Sequence, residues 1–403
     1  MFNQVLIILF WVVFIYCSFS VLYLFMFATA AKLFKRNKSA ATFLPLKKIA
    51  VLVPAYKEDE IILATAQNIL NQDYPTQLFD VYIIADSFKY STIEQLEKLR
   101  VNVLQVAFTN SSKTKSLNEC FKNIHRYYDV ALICDADNML AKGFLKKIND
   151  AFMNGAKAVQ GRRVAKNLDT SFAVLDSCSE AINNNIFRKG ANALGISSAV
   201  IGSGMAFEFD VLRNALSEIS AISGFDKPLQ LKITESGIKI LYLEDALIFD
   251  EKVDNSDAFR QQRKRWLLSQ FIYLKEYFFK GLNQLLKGNL SYFNLAVANN
   301  LVPPRAFLIA GLPALCIAAW FIQLPLVFYT TVILFGVYFL SMIIAIPAEL
   351  KNKKLLNALL QLPKAIVLMI GNLFRMKKAK KVFIHTIHTK NEITNPLYKM
   401  YGE

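Results

Sequence analysis

Histidine and cysteine are scarce in this sequence of 403 residues, which has three histidines and five cysteines. The cysteines (Cys17, Cys120, Cys134, Cys178 and Cys316) are widely scattered, and none forms a C-x-x-C pair or another metal-ligand spacing. This excludes a local cysteine and histidine metal centre and favours a reducing compartment. Any divalent ion must be held by carboxylates and phosphates, the oxygen ligands that suit magnesium or manganese.

Charge is missing from the first 31 residues. An apolar run of this length exceeds the roughly 20 residues that a helix needs to cross a bilayer, so it predicts a membrane span. A cleaved signal peptide is the alternative, but it requires basic residues before the apolar run, and here they follow it. The basic residues after the run are Lys32, Lys35, Arg36, Lys38, Lys47 and Lys48. The positive-inside rule then places the next domain in the cytoplasm, where nucleotide-activated donors are found.

Acidic residues are outnumbered by basic ones, 31 to 47, which gives a net charge of +16. The excess lies beside the apolar segments and in the tail from Lys351 onward. Attraction to anionic lipid head groups therefore explains it better than nucleic-acid binding, which is the alternative. We expect membrane lipids as partners and no nucleic acid.

Between residues 47 and 280, short apolar runs alternate with charged helical stretches, a pattern typical of an α/β sheet covered by helices. The runs at 49–53, 81–85, 101–106 and 131–134 are nearly continuously apolar, which predicts strands buried on both faces in a mostly parallel sheet. Helices are predicted at 58–70 and 92–98.

Apolar segments return at 306–323 and 326–348, connected through Gln323, Leu324 and Pro325, and predict a transmembrane hairpin whose two ends face the cytoplasm. The run at 355–374 contains Pro363 and Lys364, which favours an interfacial or re-entrant helix over a third membrane arm. The stretch after Trp266 mixes apolar and charged residues, so it fits an interfacial helix or a core-facing one. The predicted units are 1–45 (span and basic linker), 46–285 (globular domain), 286–350 (interfacial segment and hairpin) and 351–403 (basic helix and tail).

Aspartates follow two of the predicted strands. Asp86 ends the second strand, where it would accept hydrogen bonds from a ribose or base, or cap the next segment. Asp135 and Asp137 follow the run 130–134, and residues i and i+2 of a strand project to the same side. Their mutual repulsion is resolved by a divalent ion that also binds a diphosphate, although two surface aspartates in a turn remain the alternative.

Three further motifs are weaker when taken singly. Pro54, Ala55, Tyr56 and Glu58 form a strand-to-helix turn at the ligand-binding edge of the predicted sheet. Gly202, Ser203 and Gly204, followed by Met205 and Phe207, allow close approach of the backbone to a ligand, but a bulge explains them as well. Gln262, Arg265 and Trp266 combine a phosphate-binding guanidinium with an indole that stacks on sugars, or belong to a basic interfacial helix.

The order of these motifs resembles the membrane-embedded members of glycosyltransferase family 2, which include cellulose, chitin and hyaluronan synthases. The resemblance covers residues 47–285 by motif and implies a GT-A nucleotide-sugar-binding domain with transmembrane and interfacial helices. It implies donor contacts from Pro54, Ala55, Tyr56, Glu58, Asp86, Lys113, Asp135, Gln262 and Arg265, and metal binding by Asp135 and Asp137. It implies acceptor contacts from Gly202, Ser203, Gly204, Met205, Phe207 and Trp266.

The sequence departs from the family at the catalytic base. The family presents a glutamate–aspartate pair, and the matching positions here are Phe225 and Asp226. The aspartate, which is the proton acceptor of that pair, is kept, so the resemblance implies Asp226 as the base. Glu235 is the rival, but it falls in the helical stretch that follows the motif.

The resemblance implies an inverting hexosyl transfer from a nucleoside-diphosphate sugar, most simply UDP-linked, with Mg²⁺ or Mn²⁺ as cofactor. We expect transfer to a growing polysaccharide at the cytoplasmic membrane face. The alternative is addition of one sugar to a lipid-linked acceptor, and a non-catalytic membrane scaffold comes last, because the intact motif residues argue against it. Two or three spans after the globular domain make a thin channel, so self-export of a polymer would need an oligomer or a partner. The expected location is the inner cell membrane, as a multi-pass protein with its catalytic domain in the cytoplasm.

Overall fold

The computed structural model describes residues 2–33, 45–220, 224–374, 390 and 392–401. Two of the predicted features lie partly outside these ranges. The basic residues Lys35, Arg36 and Lys38 lie outside the described residues, as do residues 375–389 of the predicted basic tail.

An eight-stranded sheet forms the centre of the globular domain, with the strand order β3-β2-β1-β4-β7-β6-β8-β5. The strands are β1 (Ile49–Tyr56), β2 (Phe79–Asp86), β3 (Asn102–Val106), β4 (Val130–Ile133), β5 (Met139–Leu140), β6 (Ala158–Ala165), β7 (Met205–Glu208) and β8 (Ile240–Asp250). Strands β1 to β4 pair in parallel, β6 pairs with β8 in parallel, and the other three pairings are antiparallel. The α/β fold is confirmed, and the sheet is mixed because β7 and β5 run against their neighbours.

Helices cover both faces of the sheet, because successive residues of a strand point to opposite sides. Val51 and Val53 of β1 pack against one helical layer, and Ala50 and Leu52 pack against the other. The helices of the domain are α2 (Ile62–Leu70), α3 (Tyr90–Glu97), α4 (Lys113–Asn123), α5 (Phe144–Met153), α6 (Ser171–Asn183), α7 (Ala191–Ala193), α8 (Phe209–Ser217) and α9 (Asp226–Glu235). Helix α2 begins four residues later than predicted, because the carbonyl of Glu58 accepts the Ile61 and Ile62 amides in a turn.

The parallel register brings the predicted motifs to one edge of the sheet. Tyr56 pairs with Asp86, and Leu52 pairs with Ile133, two residues before Asp135. The carboxyl ends of β1, β2 and β4 are therefore neighbours, as a ligand-binding edge requires.

The remaining helices lie at the two ends of the chain. They are α1 (Phe2–Leu33), α10 (Ser256–Leu286), α11 (Leu290–Phe293), α12 (Asn299–Leu301), α13 (Arg305–Phe321), α14 (Pro325–Ala345), α15 (Lys353–Leu359), α16 (Leu362–Phe374) and α17 (Leu397–Tyr401). Helices α1, α13 and α14 pack on one another through a shared apolar core.

Within the described ranges, α1 and α14 are each long and apolar enough to cross a membrane. Two bent pairs would raise the number of spans to four if each counts as one: α11 to α13, bent by 57°, and α15 with α16, bent by 48°. The second pair covers the run 355–374, which the sequence predicted to be interfacial or re-entrant, and its relation to a bilayer stays a prediction.

Candidate active site

A cavity of about 340 Å³ opens at the carboxyl edge of the sheet. It is lined by every residue predicted to bind donor or metal: Pro54, Ala55, Tyr56, Glu58, Asp86, Lys113, Asp135, Asp137, Gln262 and Arg265. Trp266, predicted on the acceptor side, lines it as well. Residues from five separate parts of the chain thus converge on one space, because the parallel strands end together and α10 crosses above them.

Lys113 lies among three groups of this cavity. Its ammonium forms an ion pair with Asp135, donates a hydrogen bond to the Gly202 carbonyl (2.6 Å), and lies 5.3 Å from the centre of the Phe225 ring. A cation is therefore already held beside the first aspartate of the Asp135–Asp137 pair, close to where a diphosphate would need neutralising.

Two hydrogen-bond acceptors at the cavity have no partner among the residues that the structure describes: Oδ2 of Asp86 and Oε1 of Gln262, both buried. The other oxygen of Asp86 accepts from the Ser87 hydroxyl at 2.9 Å. A buried acceptor left without a donor costs about 1–3 kcal/mol, so both atoms favour a ligand that carries N–H or O–H groups. Ribose hydroxyls and the N–H of a nucleobase are such groups.

Beneath the cavity lies a buried group of charges that the sequence did not indicate. Asp250 is bound by the Lys252 ammonium (2.6 Å) and lies 3.7 Å from Arg163, which also binds Glu180 at 2.8 Å. Burial alone would raise the pKa of Asp250, but the positive charges of Lys252 and Arg163 lower it to about 2. The same balance lowers the pKa of Glu180, where Arg163 and Arg188 outweigh its burial. These carboxylates therefore stay charged and anchor the cavity floor.

A second buried ion pair supports the motif on α10. Arg263 binds Asp176 of α6, and its guanidinium lies over the rings of Phe259 (4.8 Å) and Trp266 (4.5 Å). This contact fixes the turn of α10 that carries Gln262, Arg265 and Trp266. No local sequence signal links Asp176 to this motif, because the two are 87 residues apart.

The predicted acceptor residues are split between two environments. Gly202 faces the cavity side, since its carbonyl accepts from Lys113. Ser203 is fully buried, where its hydroxyl accepts from the Asp135 amide (2.9 Å) and donates to Asn138. Met205 and Phe207 are fully buried in the core of the sheet and do not line the cavity. Ser203 thus supports the Asp135 turn, and acceptor contact by these three side chains stays an untested prediction.

Gly204 shows why a glycine is needed in this segment. Its φ of +62° lies in the left-handed region, and an added Cβ would lie 2.9 Å from Ile248. Any other residue would therefore be strained and would push β8 away from the turn.

Asp226, the predicted base, is the first residue of α9 and does not itself line the cavity. Phe225 connects the two, because its ring contacts Lys113 at the cavity edge. The rival base, Glu235, lies at the opposite end of α9, where it pairs with Lys280 of α10 at 2.8 Å. Asp226, and not Glu235, therefore lies at the end of α9 that is nearest the cavity.

The predicted ligands of a divalent ion, Asp135 and Asp137, both line the cavity. Among the described residues, no group of three or more histidine, cysteine or acidic side chains is arranged to hold a metal. Two carboxylates at a cavity with room for a diphosphate nevertheless fit Mg²⁺ or Mn²⁺, which take further oxygens from the substrate. Such an ion would neutralise charge on the diphosphate when bound.

The model of the family described as "Glycosyltransferase like family 2" matches residues 45–269. Among curated proteins, the chain is 24% identical to the probable glycosyltransferase YdaM of Bacillus subtilis over 64% of this chain and 65% of that protein. It is also 24% identical to the beta-monoglucosyldiacylglycerol synthase of Synechocystis over 71% of this chain and 60% of that protein. The chain thus spans less than two thirds of the length of these relatives.

Among solved structures, the mannosyltransferase PcManGT of Pyrobaculum calidifontis, in complex with GDP-Man and Mn²⁺, is similar with a TM-score of 0.53 and 17% identity. The similarity covers 83% of this chain and 96% of that one, and it confirms the GT-A fold. Since the family model matches more than half of the chain, across all the donor motifs, the protein belongs to the glycosyltransferase-like family 2.

Proposed function

We propose that this protein is an inverting glycosyltransferase that moves one sugar from a UDP-linked donor to a lipid-borne acceptor at the cytoplasmic face of the membrane. The observation that carries the donor half is the pair of unpartnered acceptors, Asp86 Oδ2 and Gln262 Oε1, in the cavity that also holds Asp135, Lys113 and Arg265. The cavity offers acceptors for a nucleoside and cations for a diphosphate, which are the two halves of such a donor.

The acceptor half rests on α10. Trp266 lines the cavity and is 39% exposed, and the same helix continues with an exposed apolar stripe. The stripe consists of Phe271, Phe279, Leu282 and Leu286. These residues follow helical spacing along one face, which suits a helix lying in a lipid interface. Trp266 lies at the cavity end of α10, on the face opposite the stripe. The stripe therefore supports attachment of the helix to the lipid interface, and Trp266, whose indole stacks on sugars, supports the contact with the acceptor.

In the reaction, the acceptor hydroxyl attacks the anomeric carbon and gives its proton to the Asp226 carboxylate. The bond from the anomeric carbon to the diphosphate oxygen breaks, and the diphosphate leaves with the electron pair. Lys113 and Arg265 neutralise the departing charge, since both line the cavity. Attack from the side opposite the leaving group inverts the anomeric configuration. Most of the acceleration comes from positioning.

A growing polysaccharide is the second candidate acceptor, favoured by the Gln262, Arg265 and Trp266 motif of polymerising synthases. The test incubates the protein in lipid nanodiscs with radiolabelled UDP- and GDP-sugars, with and without diacylglycerol, and sizes the product. One added sugar on the lipid supports the proposal, and a long polymer replaces it with the second candidate. Absence of transfer from every donor by the folded protein would overturn both candidate functions.

The proposed location is the inner cell membrane, with several spans and the globular domain in the cytoplasm. The candidate spans α1 and α14 support it. Arg305, which begins α13, also binds Ser179 and Asn183 of α6 in the globular domain. Labelling of single introduced cysteines in intact cells tests this: an exposed site on α8 should react only after the membrane is opened.

A further inference from the structure

The end of the chain docks on the globular domain, far in sequence from the cavity. Residue 390 and residues 392–401, here called the C-terminal clasp, pack beside β6 and β8. Tyr398 meets Phe249 edge to face at 5.4 Å, and Ile393 and Leu397 join the same apolar cluster. The sequence predicted this part of the chain to be only a basic tail.

Hydrogen bonds extend the clasp from the end of β6. The amides of Thr394 and Asn395 both donate to the Lys166 carbonyl, at 3.0 and 3.2 Å. Asn395, 5% exposed, also donates from its side chain to the Ala165 carbonyl at 2.6 Å. The contact is specific, since a buried amide side chain without these partners would be costly.

Lys166 connects the clasp to the metal-binding turn. Its side chain is 1% exposed, and its ammonium donates to the carbonyl of Asp137 and to that of Lys390. Its own amide donates to the carbonyl of Asp250 at 2.7 Å. One buried lysine thus links the clasp, the turn after β4 and the end of β8. Neither the Asp137 carbonyl nor the Lys390 carbonyl can leave without depriving a buried ammonium of a hydrogen-bond partner.

Lys390 reaches the loop after β8. Its amide donates to the Glu251 carboxylate at 3.1 Å, and its ammonium pairs with Asp169 and lies 4.0 Å from Asp254. Glu251 and Asp254 both line the donor cavity. The clasp therefore contacts residues on two sides of the cavity but does not itself line the cavity.

We propose that the C-terminal clasp and Lys166 are positioning elements of the donor site. They hold the Asp135–Asp137 turn and the loop 250–255 at the separation that forms the cavity, so that the donor binds well only while the clasp is docked. The inference rests on the proposed function for the identity of the donor, whereas the coupling of the clasp to the two loops stands on contacts alone.

The test uses the full-length protein in nanodiscs with Asn395→Ala and Tyr398→Ala, and a chain truncated after residue 389. Asn283→Ala and Tyr90→Ala, both at exposed positions, are the matched controls. Hydrogen exchange of residues 135–140 and 250–255 measures how far the two loops open. The Kd for UDP with Mn²⁺ measures binding at the donor site, and kcat and the donor KM are determined separately.

We expect at least tenfold faster exchange in both loops and at least a tenfold rise in the donor KM and in the Kd for UDP with Mn²⁺. The kcat at saturating donor should stay within threefold of the parent. A synthetic peptide of residues 390–403 should restore binding to the truncated chain. If truncation prevents folding, the two point variants decide, because they leave the main chain of the clasp in place.

Unchanged exchange in the two loops would overturn the inference. A loss of both kcat and thermal stability with an unchanged donor KM would also overturn it, because that pattern is expected of a segment that only stabilises the fold. Faster exchange in a protein whose parent form binds no UDP would instead refute the proposed donor and leave the clasp coupling intact.

Discussion

Replacing Asp250 by asparagine tests the buried charges beneath the cavity. Asp250 accepts from Lys252 at 2.6 Å and from the Asn138 amide at 3.2 Å, and lies near Arg163. Its pKa is lowered from 3.8 to about 2, because the attraction of Lys252 and Arg163 exceeds the cost of burial. A lowering of this size corresponds to stability on the order of 2 kcal/mol at neutral pH.

The asparagine keeps the shape but removes the charge, and it leaves Lys252, which is 3% exposed, without its carboxylate. Breaking a buried pair from one side costs about 3–5 kcal/mol. We therefore expect Asp250→Asn to lower the free energy of unfolding by about 3 kcal/mol. For a domain of this size the melting temperature falls by about 6–12 °C.

The pH dependence has a definite sign. A carboxylate whose pKa is lowered by folding stabilises the protein fully above its unfolded pKa of 3.8, and the stabilisation disappears as the pH falls towards 2. The parent protein should therefore lose stability over this acid range more steeply than Asp250→Asn, which lacks the contribution at every pH.

The assay is intrinsic-fluorescence melting of the purified protein from pH 7 to pH 2. Asp210→Asn is the matched control, because Asp210 forms only an exposed pair with Arg213 within α8 and should change stability by less than about 0.5 kcal/mol. A melting temperature for Asp250→Asn within 2 °C of the control would refute the reasoning that this ion group stabilises the cavity floor.

Three further predictions concern the reaction and the helix packing. Asp226→Asn should abolish transfer and leave UDP binding unchanged by calorimetry, whereas Glu235→Gln should keep activity; retained turnover in Asp226→Asn would remove it as the base. Lys113→Met should lower kcat/KM by about 10²–10³-fold while Mn²⁺ binds more tightly, because Asp135 loses its ion pair; Lys122→Met, on the exposed side of α4, is the control. Gly190→Ala should cost about 1–3 kcal/mol in thermal unfolding, because its Cβ would lie 2.3 Å from the Phe27 carbonyl, whereas Gly311→Ala meets no atom within 4 Å.

The donor side of the site was predictable because it follows from strand ends. Asp86 and Asp135 come directly after apolar runs, and parallel strands bring their carboxyl ends to one edge. The helix that carries Gln262 was recognised by its motif, and the structure confirms that it reaches the same cavity. Local patterns were sufficient here since each residue lies within a few positions of a recognisable element.

The supporting contacts were not predictable, because they join distant parts of the chain. Ser203 was interpreted as an acceptor contact from its glycine neighbours, but its hydroxyl is buried against the Asp135 amide. Lys166 and Asn395 look like ordinary polar residues, and only the tertiary structure joins them across 229 positions. The four strands after β4 were also not predicted from apolar runs, because β5 and β7 have only two and four residues, and β6 and β8 are interrupted by charged residues.

Helix α6 connects the cavity to the candidate membrane helices. Asp176, Ser179, Glu180 and Asn183 repeat at three- and four-residue spacing and so share one face of the helix. Together they bind three arginines from three other elements: Asp176 binds Arg263 of α10, Glu180 binds Arg163 of β6, and Ser179 and Asn183 both bind Arg305 at the start of α13.

Because all three arginines are largely buried, none of these contacts is exchanged cheaply for water. The cavity floor, the Gln262–Trp266 turn and the first turn of the hairpin are therefore fixed to the same helix. Helix α6 therefore sets the distance between Trp266 and the candidate membrane helices, where a lipid-borne acceptor would lie. With this distance fixed, the enzyme would not need a moving domain to bring a membrane substrate to a donor bound at the sheet edge.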